Sequence, residues 1–219
     1  MTIAALVKVV PPPSVPSEAY YGPWGPIEAE IGTALPRDYK DFVRLYGRGR
    51  FMQFLGVYVP RAQSRYVRLE AAIRVVCGIA FHRDELPFPL WPDAEGLIPF
   101  GSTDDGDYLF WLARGEPADW RVVVWDRAMQ GLEVFDCDLT DFLAGLATGR
   151  ILPKEFPDLL PNECLFKPSC PVPDWRRRLP FAGSNPLRLS WRLGQGGSGP
   201  SGVSALRMRS NHSDPWTET

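Results

Sequence analysis

The side chains here that are best placed to do chemistry are carboxylates, and the densest group is Thr103-Asp104-Asp105-Gly106-Asp107. Three acids beside a glycine suggest Ca²⁺ or Mg²⁺, but a helix-loop-helix calcium loop needs acids on alternate residues, a glycine sixth and a glutamate twelfth. Counted from Asp104, the twelfth residue is Gly115. Asp and Gly are also what a tight turn between strands requires, so the cluster reads as a turn. Acid-base catalysis by paired carboxylates could draw on Asp126, Glu133 and Asp136, yet acids at strand ends ordinarily face water. His82, next to Arg83 and Asp84, has no serine or cysteine in a nucleophile motif to serve. It reads as a surface or helix-capping histidine. Gly47 and Gly49 follow a helix instead of preceding one, so no helix N-terminus would present a phosphate site, and they read as a turn. The expectation is a protein without enzymatic activity, cofactor or metal.

Cys77, Cys137, Cys164 and Cys170 form no C-x-x-C pair, and only His82 and His212 could join them in a zinc site. They read as reduced structural thiols of a cytoplasmic protein. The apolar opening MTIAALVKVV is about half a membrane span and ends at Pro11, Pro12 and Pro13, so neither a signal peptide nor an anchor is expected.

The net charge of -2 conceals an uneven distribution. Pro36 to Arg83 carries ten Lys/Arg against three Asp/Glu, and Asp84 to Asp141 carries three against fourteen. The domain is strongly dipolar in sequence.

The elements that must position these charges are clearest between Leu97 and Gly149. DYLFWLA (107–113), RVVVWD (121–126) and LEVFDC (132–137) are short, β-branched and aromatic, and separated by turn residues, so they predict consecutive antiparallel strands. Leu97 to Phe100 starts the sheet. Trp111 and Trp125 belong in the core and Trp120 borders a turn as a candidate exposed ring. A helix follows, capped by Asp138, with Asp141 in its first turn, Phe142, Leu143 and Leu146 on one face, and Gly149 at its end.

Upstream, Pro26, Ile27 and Ile31 predict a helix ending near Gly32. Tyr39, Phe42, Val43 and Tyr46 predict another, begun by Pro36 and Asp38 and stopped by Gly47. FMQFLGVYV (51–59) predicts one strand bent at Gly56 and closed by Pro60. Tyr66, Leu69, Ile73, Val76 and Cys77 share one helical face between Ser64 and about Ala80, with Arg65, Arg68 and Arg74 off it. LPFPLWPD (86–93) predicts an extended loop.

Three regions result. Residues 1–21 are an N-terminal arm or added edge strand, 22–160 the organised domain, and 161–219 a Pro/Gly/Arg-rich tail expected to be disordered. From Cys164 onward the tail has eight Lys/Arg against three Asp/Glu, with Trp175, Trp191 and Trp216 interleaved. Direct nucleic-acid contact is not expected outside it.

In order, the chain reads W-x-x-I-E-x-x-I-G-x-x-L-P-x-D-Y-K-D-F from Trp24, an aromatic-glycine turn, a strand, an Arg-rich helix, L-I-P-F-G-S-T-D-D-G-D, two β-rich runs and L-T-D-F-L-x-x-L. This order resembles the SUKH superfamily, which includes fungal cell-wall synthesis regulators and many bacterial immunity proteins. Trp24, Ile27, Glu28, Ile31, Gly32, Leu35, Pro36, Tyr39, Lys40 and Phe42 carry it at the front. Ile98, Phe100, Gly106, Asp107, Leu139, Phe142 and Leu143 follow, so residues 22 to 152 are covered. Where the family commonly has Tyr-Asn and a glycine, this chain has Tyr46-Gly47-Arg48-Gly49, which changes the turn. The resemblance implies an α+β fold, helices packed on one face of a mostly antiparallel sheet, no catalytic residues, and function by protein binding. The resemblance also implies a role typical of similar bacterial proteins, which is to neutralise a cognate toxin encoded beside them, often a nuclease or nucleic-acid deaminase. Asp104, Asp105, Asp107, Glu116, Asp119 and Asp126 are the partner-binding candidates, because such toxins need cationic active sites. The competing readings are a regulatory scaffold for housekeeping partners, a metal-dependent hydrolase built on Asp104 to Asp107, and acids that merely solvate a half-exposed sheet.

Overall fold

The structure is a computed structural model, which describes residues 3–78, 87–126, 131–154, 156–157 and 165–169. Two strands at the centre of the meander, β4 (Tyr108–Leu112) and β5 (Arg121–Trp125), set the architecture because both their faces are buried. Alternation sends Leu109, Trp111, Val122 and Val124 to one side and Phe110, Leu112, Val123 and Trp125 to the other, where they enter two separate apolar clusters. A sheet apolar on both sides must be covered twice.

Among the described residues the sheet has seven strands, all antiparallel to their neighbours, in the order β6-β5-β4-β3-β2-β1-β7. The others are β1 (Gly49–Phe51), β2 (Leu55–Val57), β3 (Leu97–Thr103), β6 (Leu132–Phe135) and β7 (Phe166–Pro168). The fold is the expected α+β domain. The main cluster joins one sheet face to α1 (Ile3–Val9), α2 (Gly25–Ile31), α3 (Arg37–Leu45) and α5 (Leu139–Ala147). Its centre is aromatic: Trp111 lies 5.0 Å from Tyr39 and 4.7 Å from Phe100, ring centre to ring centre. The second cluster is closed by Phe88 and Leu90 from the loop before β3 and by Val76 of α4 (Leu69–Gly78), whose Ile73 and Cys77 enter the main cluster.

Helix signals in the sequence hold where they are local. Pro26 sits in the first turn of α2, Gly32 ends it at φ 90°, and Asp138 accepts a hydrogen bond from the Asp141 amide at 2.7 Å. Gly47 stops α3 at φ 63°, and the Ser17 carbonyl approaches so closely that a Cβ there would lie 2.2 Å from it.

Several expectations change. The stretch 51–59 is not one bent strand: β1 and β2 form a hairpin whose turn puts Met52 and Gln53 at φ 51° and 58°. Gly56 lies within β2, where the Arg50 guanidinium covers it; a Cβ would meet it at 2.8 Å. The Arg-rich helix begins at Leu69, since 64–68 is spent on a turn that bridges Val59 to Arg68. Trp120 is 5% exposed, its indole N–H donating to the Gly115 carbonyl.

The largest change is at the ends. The opening segment is neither arm nor edge strand but helix α1, with Leu6 wholly buried. Its cause is α5, all nine of whose residues are buried, so a second layer must cover the side facing away from the sheet. The Tyr46 hydroxyl donates to the Val10 carbonyl and ties α1 to α3. At the other end β7 pairs with β1 and places Phe166 5.2 Å from the Tyr46 ring, so the described fold includes a strand beyond residue 160. The tail from Pro173 onward, His82, Cys164 and Cys170 lie outside the described residues.

Candidate functional site

The acidic turn is built by β3 and β4. Thr103 and Asp107 close it: the Thr103 hydroxyl donates to Asp107 Oδ2 at 2.7 Å and accepts from the Asp107 amide at 3.0 Å, while Gly106 turns the chain at φ 99°. Asp107 is consequently fully buried. It braces the turn and presents nothing to a partner, contrary to the expectation from sequence. Asp126 is also buried, at 8% exposure, with its amide donating to the Gly131 carbonyl and its carboxylate against Gly131. Two of the six candidate acids are thus interior.

Asp104 and Asp105 remain exposed at the tip of the turn. Arg50 Nη2 lies 2.6 Å from Asp104 Oδ1, so the basic and acidic halves of the sequence meet there. Both side chains are nearly half exposed, and the pair contributes at most about 1 kcal/mol. Glu116 and Asp119 are exposed around the 3-10 turn Pro117–Asp119 that joins β4 to β5. Because Tyr108 pairs with Trp125 and Leu112 with Arg121, this turn is at the opposite end of the strands from Asp104, roughly 17 Å away at ~3.4 Å per residue. Among the described residues these acids form no single face. There are two acidic ends on an apolar sheet.

Paired carboxylates do occur elsewhere, in a cleft of about 420 Å³ between α2, α4 and Trp91. Glu70, 2% exposed, and Glu30 share Arg61, whose Nη1 lies 3.3 Å from Glu70 Oε1 and 2.7 Å from Glu30 Oε2. The hydrogen bond to Glu30 pushes the guanidinium further up, holding it charged. Carboxylates neutralised in this way suit structure more than proton transfer. The Cys137 thiol is pushed up to about 12, first by burial and then by Asp141 and Asp138, which makes it a poor nucleophile. Among the described residues no three His, Cys, Asp or Glu side chains converge as metal ligands, and no helix is long and apolar enough to cross a membrane.

Sequence reasoning missed the role of Glu28. Its Oε1 accepts from the Leu35 amide at 2.8 Å and meets Lys40 Nζ at 2.5 Å, and that ammonium lies 5.7 Å from the Trp24 ring centre. Partial burial would raise the Glu28 carboxyl, but the bonds from Lys40 and Leu35 outweigh it and hold it below the ordinary glutamate range. The glutamate four residues after Trp24, with Leu-Pro and Lys downstream, is a latch between α2 and α3. Also missed was a groove of about 460 Å³ in which arginines off the core face of α4 and its preceding turn face tyrosines of the sheet.

Such an architecture, a seven-stranded antiparallel sheet covered by helices with exposed acids at the strand ends, is of the α+β class. Residues 24–143 match the family model SUKH_6, described as SMI1-KNR4 cell-wall, and the chain belongs to that family. No curated protein and no solved structure matches it. The match begins at the latch residue Trp24 and ends in α5, leaving α1 and β7 outside.

Proposed function

We propose that this protein is a non-catalytic binding domain of the immunity type, which neutralises a cognate nuclease- or deaminase-type toxin by covering its active face. Membership in the SUKH_6 family fits a protein-binding or immunity-type role, and that membership is the observation that carries the reading. The exposed acids supply the chemistry. Asp104 and Asp105 project from the β3–β4 turn and Glu116 and Asp119 from the other end of the strands, so a cationic partner is steered to one of two places. The partner acts in the cytoplasm, where the inhibitor meets it.

The test is capture from a lysate of the source cell with the full chain, repeated with Asp104→Asn and Asp105→Asn together and with Glu116→Gln and Asp119→Asn together. Capture of one cationic nuclease or deaminase, weakened about tenfold or more in one pair and slowed in association by high salt, supports the reading. A mixture of housekeeping proteins, unaffected by either pair, overturns it in favour of a scaffold.

A further inference from the structure

We propose that the groove between α4 and the β2/β4 end of the sheet docks a short acidic peptide segment bearing apolar side chains, independently of the acidic turn. Two observations distinguish it from an ordinary solvated surface. Val75 of α4 is 50% exposed, on a helix face that would ordinarily carry charges, and Tyr66 in the turn before α4 is 76% exposed along the same concave wall. Beside them stand Arg65, Arg68 and Arg74.

The arginines are held ready. The Arg65 guanidinium lies 5.3 Å from the Tyr66 ring centre, which limits the freedom of both side chains before anything binds. Arg68 Nε donates to the Ala62 carbonyl at 2.7 Å and Nη2 to the Gln63 carbonyl at 3.4 Å, bonds that orient it without neutralising it. Among the described residues, neither Arg65 nor Arg68 pairs with a carboxylate, whereas Arg74 shares Glu30 at 3.6 Å. In the far wall Tyr58 is buried, and the half-buried Tyr108 supplies the accessible aromatic area. Carboxylates of the segment face Arg65 and Arg68, and its apolar side chains lie over Val75 toward the tyrosines. Tyr and Arg are the residues that most often dominate binding energy at protein interfaces.

Charge decides the occupant. The chain's own tail from Pro173 has seven arginines against three acids, a charge that does not complement Arg65 and Arg68. A nucleic acid would bring phosphates toward Asp104 and Asp105, since Tyr108 directly follows that turn. A short peptide can place its charge at the arginine end alone.

Fluorescence anisotropy of the full chain tests this with a labelled octapeptide carrying two glutamates followed by phenylalanine and leucine. Saturable binding with Kd on the order of 10–100 µM is expected. Arg65→Glu and Tyr66→Ala, both exposed and so expected to leave the thermal midpoint unchanged, should each weaken it about tenfold, whereas Asp104→Asn with Asp105→Asn should not weaken it. Absence of saturation at millimolar peptide, affinity unchanged in both groove variants, or tighter binding of an octanucleotide of thymidine overturns the proposal. So does binding that appears only after Asp84→Asn and Glu85→Gln, because the chain's own acids would then be the occupant. The toxin capture experiment reads the acidic ends, so either idea can fail alone.

Discussion

Glu28 shows how a side chain that looks like surface charge becomes structural. In α2 it is an acid on a short helix; in the folded chain it satisfies the Leu35 amide and anchors Lys40 over Trp24. Its carboxyl is held below the ordinary range, so the latch is in force above the unfolded glutamate pKa and weakens as pH falls through the lowered folded value. Glu28→Gln is expected to cost about 1–2 kcal/mol at pH 7 and markedly less near pH 3, in urea unfolding at both pH values. An equal cost at both would show that size, not charge, matters there. Asp107 makes the complementary point. Its neighbours Asp104 and Asp105 are exposed, yet its own carboxylate points inward, because the Thr103 hydroxyl donates to it across the turn and accepts from its amide.

At the scale of the element, α5 is the helix on which the others depend. Its N-terminus is satisfied twice: Asp138 accepts from the Asp141 amide and the Thr140 hydroxyl, and Asp38 of α3 accepts from the Thr140 amide at 3.2 Å. Asp138→Ala is expected to cost about 1 kcal/mol by denaturant unfolding. Asp38 differs, because burial and then the nearby Asp138 raise its carboxyl. A raised carboxyl binds its proton more tightly when folded, so its contribution is present below the unfolded aspartate pKa and is lost as pH rises through the folded value. Asp38→Asn keeps an acceptor and removes the charge, so its stability relative to wild type should improve from pH 4 to pH 7. A relative loss on that rise would mean that the charged form is the one the helix end needs.

For the whole molecule, α1 and β7, the first and last described elements, are both part of the fold. Removing α1 uncovers the outer side of α5 and the site of Leu6, and removing β7 strips the Phe166 contacts with Tyr46 and Phe42. Truncating a buried leucine alone costs about 2–5 kcal/mol, so the fragment 22–160 should melt well below the full chain or fail to fold cooperatively. Equal calorimetric midpoints would show that the described core is complete without its ends.

The sequence by itself determined the parts whose causes lie within a turn or two of chain. The capping of α5 by Asp138, the periodic face of α3, the stop at Gly32 and the β-rich meander all arise from residues that interact with near neighbours, and the order of those parts carried the family resemblance. Only the tertiary structure decided the rest. Helix α1 is seven residues, too short to be helical alone, and it exists because α5 needs cover. The hairpin between β1 and β2 turns on Met52 and Gln53, residues with no turn preference, held in place by strands paired on either side. The acids looked like one surface because they are close in sequence; antiparallel pairing carried Asp104 and Asp105 to one end of the sheet and Glu116 and Asp119 to the other, and burial took Asp107 and Asp126 out of reach. Which side chains share a surface depends on strand order and burial, and these are set by contacts between residues far apart in the chain.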